Sequence, residues 1–188
     1  MQRLGRVLVT LGAVVAIVTV CVGGAATAAT ASSSGTPSHL TSDGTWPGLG
    51  TVCEHGPGGA ATGRGVGAHS INIATFADPG NAASPGLNKE FFEFAAAFAK
   101  WCNAAGGIDG RTIVVHDRDG ALFNAAQVTD EACQQDFMSV GGGLVFDQSA
   151  VPVRVGCGLG QIPSYVVSNG ADDAALQVDP QGIRVDEI

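Results

Sequence analysis

The chain is short of charge, and shortest of positive charge. Only 14% of its 188 residues are charged, and nine Lys and Arg stand against seventeen Asp and Glu. An acidic surface repels phosphate backbones, so no nucleic-acid partner is expected. Catalytic signatures are missing as well. There is no Gly-x-Ser-x-Gly elbow, no Gly-x-Gly-x-x-Gly after a strand and no Cys-x-x-Cys pair. GRGVG at 63–67 precedes the first expected strand, and GCGLG at 156–160 comes late in a short helix, both the wrong context for a phosphate loop. His39, His55, His69 and His116 show no metal-pair spacing, and Asp117 with Asp119 lacks the other oxygens of a calcium loop. No enzyme, cofactor or metal is expected from these residues.

What is present begins with a basic MQRLGR, an apolar VLVTLGAVVAIVTVCVGG and a small-residue AATAATASSS. That order is the mark of a secretory signal peptide over residues 1–31, with cleavage after Ala28 or Ala31. An uncleaved anchor is the competing reading, because the apolar run approaches the roughly 20 residues a spanning helix needs. Val20 before Cys21 is bulkier than the small residue that lipid attachment requires. Removing the leader takes away Arg3 and Arg6 but no acid, so the exported part is still more acidic. Cys53, Cys102, Cys133 and Cys157 would remain, and export to an oxidising compartment makes them disulfide candidates. Four cysteines allow three pairings. Cys133 and Cys157, flanking one expected strand, are the first choice, and Cys53 is placed to pin the end of what precedes the folded part.

Residues 32–69 are rich in Ser, Gly, Thr, Ala and Pro and carry no apolar periodicity, which predicts a flexible tether. From Ser70 the pattern changes. Residues 70–76 alternate as a strand, and 87–105 place Leu87, Phe91, Phe94, Ala95, Phe98 and Cys102 on one helical face. Gly106 and Gly107 supply a left-handed stop, Asp109-Gly110 reverses the chain, and 111–116 reads as a second strand. The alternation continues with a helix at 123–138, a strand at 140–146, a short helix at 147–157 and a strand at 162–167. Strand and helix alternating with near-continuous apolar strands predict an α/β fold, a doubly wound parallel sheet.

Several stretches in order carry a more specific likeness. SINIATFADPG, NAAGGIDGRTIVV, EACQQDFMSVGGGLVFDQSA and CGLGQIPSYVVSNG together resemble the type I periplasmic-binding family, whose members include the leucine/isoleucine/valine-binding proteins of ABC importers. The likeness spans roughly residues 70–170. It implies an exported, monomeric solute-binding protein that captures a small polar solute, of amino-acid or amide class, for an ABC permease. Such proteins have two lobes, and residues 70–188 match only part of the N-terminal lobe. A ligand-sensing ectodomain with the same fold, or a truncated fragment without function, are the alternatives.

In an open parallel sheet, ligands sit outside the carboxyl ends of the strands. That nominates Asp78 and Asn81 after the first strand, Phe146, Asp147 and Ser149 after the third, and Ser168 and Asn169 after the fourth. Relatives use hydroxyls and backbone amides there to hold a ligand carboxylate, a part open to Ser149 and Ser168. Phe146 would stack on an apolar portion. Asp147 and Ser149 have an ordinary alternative, capping of the third helix. A carboxylate at Asp147 would favour an amine, amide or polyol over an anion.

Overall fold

The computed structural model describes residues 42–180. The leader at 1–31, the first part of the expected tether and the last eight residues lie outside the described residues. Two short strands come first, β1 (Thr45–Trp46) and β2 (Gly50–Thr51), paired antiparallel. Four more form a sheet: β3 (Ser70–Ala77), β4 (Thr112–Asp119), β5 (Met138–Gly142) and β6 (Gly160–Ile162). The helices between them are α1 (Glu90–Ala104), α2 (Ala125–Gln135) and α3 (Val151–Gly156), with a short α4 (Asn169–Asp172) after β6.

The sheet runs β4-β3-β5-β6, and every pair in it is parallel. Parallel neighbours require crossovers, and helices supply them. Alternation along β3 divides the core in two. Ile73 packs with Ala99, Cys102 and Ile113 under α1, whereas Ala74 and Phe76 pack with Val128, Ala132, Leu144 and Leu159 under α2 and α3. The expected α/β class therefore stands, with helices on both faces. The chain crosses from β3 to β4 on one side and then back past β3 to β5. Between the carboxyl ends of β3 and β5 the winding reverses, which opens a crevice.

The link from α1 into β4 follows the expected punctuation. Gly106 and Gly107 have φ of 116° and 81°, and the Gly107 amide donates to the Cys102 carbonyl at 2.8 Å. Asp109 and Gly110 both take positive φ, and Ile108 and Arg111 exchange backbone hydrogen bonds around them. This is the mirror-image two-residue turn that Asp-Gly favours.

Three strands of the sheet end or begin away from where the sequence reading puts them. β4 runs on to Asp119, so Asp117 and Asp119 belong to the strand. β5 starts at Met138 and ends at Gly142 rather than occupying 140–146. Gly141 and Gly142, the last two residues of β5, have φ of 71° and 65°, a left-handed backbone that shifts the register against β3 and ends the ladder after Gly142. β6 is likewise early, because Pro163 has no N–H to continue it. Past α4 the chain returns at 176–178 beside β6, with Gln161 bonded to the Leu176 carbonyl and Val178 to that of Gln161. Arg154, 2% exposed, holds this return by donating to the carbonyls of Ala175 and Leu176 and to the Gln177 side chain.

Phe94 also departs from expectation. Its helical spacing puts it on the buried face of α1, but it is 70% exposed. α1 covers β3 and β4, and beside it the sheet face over β5 is bare. Phe94 stands at the rim of that gap, a groove of about 450 Å³ walled by Ile71, Ile73, Phe91, Phe98, Phe137 and Val140.

The segment 42–69 is not the free tether that its composition predicts. Trp46 meets Trp101 edge to face at 6.3 Å, and Cys53 is bonded to Cys102, with Cα atoms 5.2 Å apart. The Glu54 amide donates to the Gly107 carbonyl, and that of Gly58 to Asp109. Arg64 donates to the carbonyls of Asp136 and Cys157. A strap without an apolar face is thus held by a covalent bond, one aromatic contact and backbone hydrogen bonds, none of which periodicity reveals. Its Asp136 anchor is itself fixed: the buried carboxylate accepts from Arg118 at 2.8 Å and meets His116.

The expected bond between Cys133 and Cys157 is formed as well, joining α2 to the end of α3 with Cα atoms 5.9 Å apart. Both disulfides are consistent with an oxidising compartment. Non-reducing peptide mapping should recover Cys53 with Cys102 and Cys133 with Cys157, and no crossed pair. The double variant C133S/C157S opens a loop of sequence separation 24. It should lose about 3.5 kcal/mol in urea unfolding by the chain-entropy relation.

Candidate functional site

The crevice side of the sheet carries the nominated residues, but they divide into two groups. Asp78 follows β3 directly and is fully buried. Its two carboxylate oxygens accept from the Leu122 amide and the Val145 amide, each at 2.8 Å. Those amides lie on the loops after β4 and β5, so one carboxylate joins three loops. Asn81 is also buried and turns inward on its own loop, accepting from the Ala83 amide at 2.9 Å. Both residues form the support of the crevice and do not line its open cavity.

The second group does line it. An open cavity of about 460 Å³ is walled by Val145, Phe146, Asp147, Gln148 and Ser149 from the loop after β5. Val167 and Ser168, after β6, form the other wall. Four of the seven nominated side chains are therefore brought together. Asn169 opens α4 next to Ser168 and is exposed.

Asp147 does not cap the helix that follows; no side-chain cap bond is formed at that start. Its carboxylate accepts from the Val167 amide at 2.7 Å and the Ser168 amide at 3.1 Å. The reach is across the cavity, so Asp147 clamps its two walls together. Ser168 is the true cap, its Oγ accepting from the Ala171 amide at 3.2 Å at the start of α4. Ser149 Oγ donates to the Phe146 carbonyl at 3.4 Å, a long bond that a ligand acceptor can replace. The N-cap role weighed for Ser149 is thus replaced by an i−3 contact.

Three participants escaped the sequence reading. Phe123 was counted as the first residue of a helix, yet it precedes α2 and is 80% exposed. Its ring stacks on Phe146, centroids 5.3 Å apart and 23° between planes. The sequence pattern puts Val167 and Tyr165 in a strand, but that strand ends at Ile162. Tyr165 packs against Phe91, receives a hydrogen bond from Asn88 at 2.8 Å and donates to the Gly143 carbonyl at 3.0 Å. Burial pushes its phenol up to about 12, helped by the negative charges of Asp78, Asp147 and Glu90 and opposed by the Asn88 bond. No sequence pattern flags these three, because each depends on where a loop ends.

The cavity offers hydroxyls, backbone amides and an aromatic wall, together with one carboxylate. It contains no nucleophile paired with a base, and no group of metal-ligating side chains occurs among the described residues. The groove beside α1, of similar volume, is almost wholly apolar and lies off the crevice; it is an uncovered sheet face, unsuited to a polar solute. Comparison of the chain with protein-family models, curated proteins and solved structures found no match in any of the three.

Two outcomes follow from this geometry. Asp78→Ala leaves two buried amides without an acceptor and should cost about 3 kcal/mol of stability, measured by urea denaturation. The chain has a single tyrosine. Titration of tyrosinate absorbance in the folded protein should therefore show one transition near about 12. A phenol held neutral above its unfolded value stabilises the fold fully below about pH 10, and that contribution disappears as pH rises through the folded value.

Proposed function

We propose that the chain is the ligand-holding part of an exported solute-binding protein of the type I periplasmic-binding kind. It captures a small polar solute of amino-acid or amide class and delivers it to an ABC permease. Its described residues correspond to the start of the first lobe, with a second lobe closing over the crevice. The observation that carries this reading is the cavity outside the ends of β5 and β6, lined by Phe146, Asp147, Ser149 and Ser168, beside the reversal of the winding.

Three features support it. The position follows the general rule for open parallel sheets. The cavity is shallow and open, as half of a two-sided clasp is before closure. Its support is stiff, since Asp78 and Asp147 lock the surrounding loops through backbone amides and little ordering is left for the ligand to induce. Fold alone would not assign a role, and the resemblance of the four sequence stretches supplies the rest.

The test is a thermal-shift and calorimetric screen of the full chain against amino acids, their amides and polyols. At a hundredfold excess over Kd a true solute stabilises the fold by about 2.7 kcal/mol. Ser149→Val should weaken that solute by roughly tenfold, the value of about one lost hydrogen bond. A screen in which no compound raises Tm removes the reading.

A further inference from the structure

On the solute-binding reading, we propose that this half of the clasp takes an organic cation with an apolar body, an amine or quaternary ammonium group set against the Phe123–Phe146 pair beside Asp147. The first ground is the aromatic pair itself. Phe123 and Phe146 are 80% and 50% exposed, though they lie on separate loops and are stacked on one another. Phe146 lines the cavity, and Phe123 stacks on its ring and extends that aromatic surface beyond the cavity rim.

The pair is held in place. Ala121 and Leu122, immediately before Phe123, take φ of 44° and 71°, a left-handed backbone that non-glycine residues adopt at a cost. Asp119 Oδ1 accepts from the Ala121 amide at 2.9 Å and Asp78 Oδ1 from that of Leu122 at 2.8 Å, so two carboxylates enforce the strained turn. The result is an aromatic ring projected into solvent by a fixed loop when a relaxed one would let it fold down.

Charge selects the occupant. Among the described residues lining the cavity, Asp147 is the only ionisable one, and it is a carboxylate. The charges of Asp78, Asp147 and Glu90 all act on the neighbouring Tyr165. Arg154, which lines an inner pocket together with Asp147, is 2% exposed and donates to the carbonyls of Leu159, Ala175 and Leu176 and to the Gln177 side chain, turned away from the open cavity. A ligand carboxylate would meet no basic side chain in this wall. A cation meets an aromatic face, whose quadrupole attracts it, within a field of the right sign.

The experiment measures binding of 2-phenylethylammonium and of its anionic counterpart 3-phenylpropionate to the full chain by calorimetry, in wild type, Phe146→Leu and Phe123→Leu. Both positions are surface-exposed, and unchanged Tm in the unliganded variants confirms an intact fold. The cation should bind at least tenfold tighter than the anion, and each leucine variant should weaken it about three- to thirtyfold. Equal or tighter binding of the anion overturns the proposal, as does cation affinity that ignores both substitutions. If neither phenyl compound binds but an amino acid or amide from the broader screen does, the cation assignment fails and the solute-binding reading stands. If nothing binds, both fail.

Discussion

One buried carboxylate holds the working end of this molecule together. Asp78 sits at the point where the winding of the sheet reverses, and loops from three consecutive strands have to converge there without a helix to bind them. Its two oxygens receive one amide from the loop after β4 and one from the loop after β5. A charged acceptor of amides makes stronger hydrogen bonds than a neutral one, and stronger still where water is excluded. Remove that acceptor and the strained turn at Ala121–Leu122 loses one of its two restraints. Phe123 is then free to move, and the loop bearing Phe146 and Asp147 is released from β3.

Asp147 repeats the device one loop further along, tying the end of β5 to the stretch after β6. The two acids so divide the crevice into a rigid floor and a clamped rim. The opposite end of the sheet uses different means. There the strap at 42–69 is secured through the Cys53–Cys102 bond, through Arg64 and through main-chain hydrogen bonds to the α1–β4 turn. Covalent closure suits a segment with almost no apolar surface, since it restricts the unfolded chain instead of relying on burial. Both ends of the sheet are thus rigid, by different means.

Much of the architecture was legible from residue order. The strand at Ser70, the aromatic-rich helix, the diglycine stop and the Asp-Gly turn all stand where the pattern put them, because each depends on neighbours within a few residues. The Cys133–Cys157 bond was legible for a related reason: helix, strand and helix of ordinary length bring those positions close. The candidate site was legible only as the place where a cavity forms, since strand ends in a parallel sheet share one rim. The roles of its members were not. Asp147 reads as a ligand contact or a helix cap in sequence and acts as a bridge, and Phe123 reads as the first residue of a helix and stands in solvent. Which partner a side chain finds across a loop is set by residues twenty to seventy positions away.

Sequence by itself determined the alternation of elements, the acidic character, the cysteine pairs on offer and the end of the sheet at which chemistry is possible. Local periodicity, turn preference and charge composition are properties of short stretches, so they survive without a fold. Only tertiary structure decided where β5 and β6 stop, that the glycine-rich segment lies against the domain, that Phe94 is bare, and that Phe123 meets Phe146. Each of these is an outcome of long-range packing: a left-handed glycine pair beneath Phe76, a disulfide, a sheet face that no helix covers, and two carboxylates pulling loops to one point.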